Sequence, residues 1–358
     1  MLLADLGADV IKAERPGTGD DTRARGPPRA HDESTYFLSV NRNKRSFAID
    51  LGMEEGRRDA HEPVRCAAVL FENFRPGTMD KYGLSYAQAH ALNPGIVYCS
   101  VTGFGAGDGT APPGYDLLLQ AVGGLMSVTG PAPVQPLKTG VALVDVLTGL
   151  HAAVGALAAL RHRDATGEGR HVEVGLLSSV LSSMVNQAGG YTLAGRVPGI
   201  LGNRRPSIAP YEVYRTADRP PVVAVGNDRQ FLALCRGLGA QALATDPRFA
   251  SNADRVTHVD APAEEISARP ALRTAAEWFD LLTPLGVPCG PVDDLAGAFD
   301  LSERLGLSPR VTPADADPDD PMRLVASPIG LSRTPPRDEW RPPRLGEHTE
   351  DLRRWLDS

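Results

Sequence analysis

From Gly140 to Leu160 apolar residues run almost without interruption, and a single carboxylate, Asp145, is set inside the run. Val146, Leu150, Ala153, Leu157 and Leu160 recur at steps of three and four, which predicts a helix after Asp145 with that stripe on the core. The run has the length of a membrane span. Because Asp145, Thr148 and His151 fall within it and Gly149 and Gly155 interrupt it, a buried core helix is the expectation. A carboxylate in apolar surroundings is costly without hydrogen bonds, a partner charge or a task, so Asp145 is the residue to explain.

Upstream, residues 2–6 have helical character, Gly7 stops the turn, and Val10-Ile11-Lys12 predicts a strand ending near Glu14. The chain thus opens inside an α/β unit, without the strand that ordinarily feeds such a helix. Residues 15–28 form a turn-rich polar stretch, read as a solvated connection. The basic cluster Asn41-Arg42-Asn43-Lys44-Arg45 reads as solvent-facing or, more sharply, as a phosphate contact, and a short strand over Ser46–Leu51 follows. A helix over Glu54–Glu62 is stopped by Pro63. The buried strand Ala67–Phe71 then runs into Glu72-Asn73-Phe74-Arg75-Pro76-Gly77. Ligands of open α/β sheets gather beyond the carboxyl ends of strands, which puts Asn73 in such a crevice.

Ser85 is placed to cap a helix over Tyr86–Leu92, and a strand over Ile96–Val101 and a helix over Tyr115–Met126 come next. After the long helix, Arg170–Val174 alternates as a strand and leads into a helix from Leu176 to Ala188. This alternation predicts an α/β fold with a mostly parallel, Rossmann-like sheet in a large domain, assigned residues 1–202. From Asn203 prolines bracket short strands at Tyr211–Tyr214 and Val222–Val225, helices recur near Arg229–Gly237 and Thr274–Leu282, and Gly286–Val292 forms a late strand. These define a smaller α+β domain over 203–306. Residues 307–358 are an acidic, proline-rich connector and a return to the large domain, with a strand at Met322–Ala326 and a last helix over Glu347–Leu356.

Composition adds exclusions. The 42% hydrophobic and 23% charged fractions are those of a globular chain, and a net charge of −7 opposes attraction to nucleic acid or anionic membrane. Cys66, Cys99, Cys235 and Cys289 are widely spaced with no CxxC pair, which removes support for a metal ribbon or redox motif. Free thiols, together with Asp5 and Asp9 where a signal peptide would be basic then apolar, make the cytoplasm the expected compartment.

The run Gly103-Phe104-Gly105-Ala106-Gly107-Asp108-Gly109 fails the dinucleotide spacing, since Thr110 or Asp108 stands at the third glycine position and Pro112 and Pro113 follow where a helix should open. No GxxxxGKS/T, HExxH or GxSxG string occurs. Two readings of Asp145 remain: an N-cap of the helix behind it, or a nucleophile or base held at a helix N-terminus. Asp116 has the same two readings, and the two acids could form an acid/base pair.

The blocks GADVIKAER, NRNKRS, ENFRPG, PGYDLLLQAVGGLM, GVALVDVLTG, TGEGRHVEV, GNRRPSIAPYEVY, GNDRQF and LGEHT, in this order and over essentially the whole chain, resemble the family III CoA-transferases. The resemblance implies that Asp145 is the nucleophile. It attacks an acyl-CoA thioester to give a mixed anhydride, and the released thiolate returns to form an aspartyl-CoA thioester from which an acceptor carboxylate takes the CoA. It implies CoA contacts by Arg15, by Asn73, Phe74 and Arg75, and by Lys81, which stands where formyl-CoA transferase has arginine. Tyr115 and Asp116 match a tyrosine and an acidic residue beside the nucleophile.

The same resemblance implies no tightly bound cofactor and no metal, acyl-CoA and a carboxylic acid as substrates, and a ring-shaped monomer in an interlocked homodimer. Against that pattern the chain reads as N-terminally shortened, and Gly226 stands alone where formyl-CoA transferase has a glycine run over its active site. Two alternatives follow, a racemase-like enzyme and a shortened, inactive CoA-binding homologue. The related alpha-methylacyl-CoA racemases carry a catalytic histidine at the position of Tyr115. A tyrosine of ordinary pKa ~10 is a poor proton shuttle at neutral pH, which favours transfer over racemisation.

Overall fold

Val10–Glu14 (β1) pairs in parallel with Lys44–Ala48 (β2), and Val69–Glu72 (β3), Val97–Thr102 (β4) and Arg170–Gly175 (β5) form a second parallel sheet in that order. These sheets belong to a computed structural model that describes residues 1–110, 112–267 and 273–356. The result is a mixed α/β fold. Ile11, Phe47 and Ile49 share one core with Leu70, Ile96 and Tyr98, so the two sheets bury against a common set of side chains. The chain divides into two units. One holds Met1–Gly123, Val141–Val185 and Leu301–Ser358, and the other Gly124–Gly140 and Asn186–Asp300. Residues 124–140 and 186–202, counted above with the large domain, therefore fold in the second unit, and 301–306 in the first. Residues 111, 268–272 and 357–358 of the ranges assigned above lie outside the described residues.

Several elements differ from expectation for identifiable reasons. The helix Glu54–Cys66 (α1) passes through Pro63, and Ala60 and Val64 on either side of it are in the core. Packing there outweighs the one hydrogen bond that proline removes. Tyr86–Leu92 (α2) is capped as predicted, with Ser85 N donating to Gln88 Oε1 at 3.0 Å. At the edge of its sheet, β3 leaves Phe71 44% exposed, so it is not the buried strand its composition indicated. Asp116–Val122 (α3) is shorter than predicted: it stops at Gly123, and Gly124 takes φ +84°.

The long helix is Leu143–Thr166 (α4), and only part of the predicted stripe turns inward: Ala153 is buried and Leu160 packs against the core, but Val146, Leu150 and Leu157 do not. Val144, Thr148, Ala152, Ala156 and Ala159 are buried, while Val146, Leu150, Val154 and Leu157 are exposed. Ala156 and Ala159 pack on Val69, Val97 and Val172, and a Cβ on Gly155 would lie 2.8 Å from Val172 Cγ1. Small residues thus let α4 settle close to the sheet. Because the helix is apolar all round, size rather than hydrophobicity decides which face turns inward. The helix is long and apolar enough to span a membrane by length and composition, with 33% of its most apolar stretch buried in the protein.

Helix Leu176–Ser183 (α5) packs on α4. The predicted continuation to Ala188 is broken at Val185, φ +27°, where Val185–Ala194 (α6) begins. The second unit contains an antiparallel sheet ordered Cys289–Pro291, Pro221–Ala224, Tyr211–Val213 over a core that includes Val223, Phe231, Leu234, Phe249 and Trp278.

Neither reading of the basic cluster survives intact. Asn41, Arg42 and Asn43 are buried, with Arg42 donating to both carboxylate oxygens of Asp5 at 3.0 and 2.6 Å and Asn43 Nδ2 to Asp5 Oδ1 at 2.9 Å. The loop over 15–28 is likewise not wholly solvated. Arg23 is buried between Glu14, at 2.8 Å, and Glu33, at 2.7 Å, over the Phe37 ring.

Candidate active site

Ala142 occupies the N-cap of α4, so Asp145 is the third residue of the helix and not its cap. The capping role falls to Asp116, from a different helix. Its Oδ1 accepts from Val144 N at 2.8 Å and, more weakly, from Asp145 N at 3.4 Å. A carboxylate there satisfies amide groups of the first turn that have no partner within the helix. Its other oxygen, Oδ2, accepts from Gln120 Nε2 at 2.7 Å. Gln120, one turn along α3 from Asp116, is fully buried and also reaches Val141 O at 3.4 Å.

Asp145 is left exposed, and its carboxylate accepts no hydrogen bond among the described residues. Surrounding protein desolvates it all the same. That desolvation, reinforced by the negative charge of Asp116 and opposed by Arg25, holds its carboxyl above the ordinary value of 3.8. Desolvation disfavours the charged form and so makes this carboxylate more basic than an ordinary aspartate, while its exposure leaves it accessible.

The glycine run serves this site by packing. A Cβ on Gly103 would lie 2.6 Å from Gly114 Cα, and one on Gly114 2.5 Å from Gly103 Cα, so only glycines permit the crossing. That crossing fixes the segment carrying Tyr115 and Asp116 to the carboxyl end of β4, and Leu177 N at the start of α5 donates to Gly103 O at 3.1 Å. Tyr115 immediately precedes Asp116 and is 66% exposed.

Of the residues singled out from sequence, Asp145, Asp116 and Tyr115 are thus brought together. Asn73, Phe74 and Arg75 are exposed on the loop leaving β3, at the same carboxyl edge of the sheet as Gly103, with Phe74 N donating to Glu72 Oε2 at 2.9 Å. Lys81 is exposed in the turn Met79–Tyr82, and Arg15, after β1, is exposed and paired with Asp21. No hydrogen bond or ion pair among the described residues joins these five to Asp145. Two residues went unnoticed. Gln120 had a signal, its i, i+4 spacing from Asp116 on a predicted helix; Arg25 had none, being one charge in a polar loop. A cavity of about 280 Å³ lined by Lys44, Asp315, Trp340, Arg341, Glu347 and His348 lies elsewhere, at the amino end of β2.

Comparison with known proteins adds to this geometry. A family model described as CoA-transferase family III matches residues 1–349. The chain is 41% identical to a succinate–glutarate CoA-transferase of Agrobacterium fabrum, covering 97% of this chain and 88% of that one. It is 40% identical to an acetyl-CoA:oxalate CoA-transferase of Acetobacter aceti, covering 84% and 78%. Among solved structures, a CAIB/BAIF family protein from Brucella suis superposes with a TM-score of 0.87 at 37% identity, covering 99% of this chain and 94% of that one.

Proposed function

The chain belongs to CoA-transferase family III and acts on acyl-CoA and carboxylic acid substrates, and we propose that it moves CoA through covalent intermediates on Asp145. The observation that supports this most is the division of labour between two acids. Asp116 does the capping, so the Asp145 carboxylate stays accessible at the first turn of α4.

The exchange runs as follows. An Asp145 carboxylate oxygen attacks the thioester carbonyl and expels CoA thiolate, leaving an acyl–aspartyl anhydride. The thiolate then attacks the aspartyl carbonyl, releasing the donor acid and leaving an aspartyl-CoA thioester. The acceptor carboxylate attacks that carbonyl in turn, and the freed thiolate takes the acceptor's acyl group and restores Asp145. Each oxyanion forms beside the positive end of α4, a contribution of about 0.3–1 kcal/mol at an exposed site. Arg15, Asn73, Phe74, Arg75 and Lys81, all exposed, are assigned to CoA, the cations to its phosphates.

The acceptor is assigned to the dicarboxylic acids. The relatives are named for succinate, glutarate and oxalate, and Arg25 supplies positive charge that acts on Asp145. The test is mass spectrometry of the Asp145 peptide after incubation with acyl-CoA, alongside initial rates with dicarboxylate and monocarboxylate acceptors. An acyl or CoA adduct on Asp145 and a preference for dicarboxylates are expected; an adduct confined to another residue would refute the mechanism, and indifferent acceptor rates the substrate class.

The pH dependence has a definite sign. Burial and Asp116 raise the Asp145 carboxyl, so it takes a proton, and loses nucleophilicity, at a higher pH than an ordinary aspartate. The acidic limb of kcat/KM for acyl-CoA is therefore expected above pH 3.8, and Asp116→Asn, which removes the like charge, is expected to move it downward.

The assembly we propose is the interlocked homodimer. Val146, Leu150, Val154 and Leu157 on α4, with Leu181 and Val185, form an exposed apolar face on a helix whose other side is already packed on β4 and β5. Such a face fits a second protein surface better than lipid, since half of the helix is held by its own sheet. Light scattering is expected to give twice the chain mass, and Leu150→Glu with Leu157→Glu to give a monomer. A wild-type monomer would remove the proposal. Among the described residues Cys66, Cys99, Cys235 and Cys289 form no disulfide, which supports placing the enzyme in a reducing compartment, the cytoplasm.

A further inference from the structure

The fully buried amide of Gln120 calls for an explanation, because leucine or methionine would fill its place without bringing polar atoms into the core. Its Nε2 holds Asp116 Oδ2 at 2.7 Å while Asp116 Oδ1 holds Val144 N at 2.8 Å, so the carboxylate is clamped from both sides, between α3 and α4. We propose that Gln120 is a positioning residue for CoA transfer: by fixing Asp116 it fixes the helix turn that presents Asp145. This rests on the reading of Asp145 as nucleophile. Without the amide, Asp116 is free to turn about its last side-chain bond and loosen its hold on the amides of Val144 and Asp145. The nucleophile then loses its set approach to the thioester, and misplacement on the order of 1 Å is enough to cost ~100-fold in rate.

A double-mutant cycle tests the chain of action. The variants are Gln120→Leu, Asp116→Ala and the pair, read as the single-turnover rate of adduct formation on Asp145 and the KM for acyl-CoA. Each single change is expected to slow the covalent step by ~10- to 100-fold with KM altered by less than about threefold. The double variant is expected to be no slower than the slower single, because the two residues act as one. Losses that multiply, or an unaltered rate in Gln120→Leu, would overturn the proposal. Gln120→Met keeps the volume, and if both apolar variants fail to fold, Gln120 is a packing residue and the inference fails. A wild-type enzyme that forms no Asp145 adduct would sink the nucleophile reading itself, whereas a wild-type adduct with an unchanged Gln120→Leu rate would sink this inference alone.

Discussion

Asp145→Asn is expected to lower CoA transfer by about 10⁴-fold or more and to abolish the covalent adduct, while leaving the fold intact. The amide keeps nearly the shape of the acid but cannot form the anhydride, and nothing else at the helix start replaces it, since Asp116 has both oxygens engaged. The same substitution is expected to stabilise the protein slightly at neutral pH. The sign follows from the raised carboxyl: the folded state holds the Asp145 proton more tightly than the unfolded chain does, so ionisation opposes folding. The gain from asparagine is therefore present at neutral pH and vanishes as pH falls toward 3.8 and below, where the acid is protonated in both states. Solvent at the exposed side screens the effect, so a rise of no more than about 2 °C in the unfolding midpoint is expected. Residual transfer above about 1% of wild type would remove Asp145 from the mechanism. A drop in stability at neutral pH would instead show that its charge has a structural task.

How much of this was legible beforehand depended on how far apart the interacting residues lie. Strand positions were, because β1, β4 and β5 are short apolar or alternating runs bounded by turns, and the resemblance pointed to Asp145 directly. The cap was not. Asp116 meets the amides of Val144 and Asp145 across more than twenty intervening residues, and no local pattern records such a contact. Period alone also misplaced the large residues of α4: Leu150 and Leu157 looked like core and are exposed, while Ala153 and Leu160 of the same stripe turn inward and Ala156 and Ala159 pack on the sheet because close approach rewards small side chains. An exposed leucine stripe is what remains on the far side of the helix.

Arg42→Ala is expected to cost about 3–5 kcal/mol of stability, the range for removing one partner of a buried ion pair. Arg42 and Asp5 are 1% exposed each, and Asp5 accepts from the Arg42 guanidinium and from Asn43. Deleting the guanidinium leaves a buried carboxylate whose remaining side-chain hydrogen bond among the described residues comes from Asn43. Replacing both partners together, as Asp5→Leu with Arg42→Met, is expected to cost far less, because no unpaired charge remains. Urea unfolding followed by tryptophan fluorescence reads the difference where it arises. Trp340 N donates to Asn43 Oδ1 at 3.0 Å and Asn43 N to Trp340 O at 2.9 Å, so the backbone of this tryptophan is tied to a hydrogen-bond partner of Asp5. If Arg42→Ala costs less than about 1 kcal/mol, the basic cluster is not the structural anchor its burial indicates. A phosphate-binding role would then have to be reconsidered, and its signature would be a higher KM for acyl-CoA in Arg42→Ala at unchanged stability. The buried geometry predicts the reverse: lost stability, with the KM of the remaining folded enzyme unaltered.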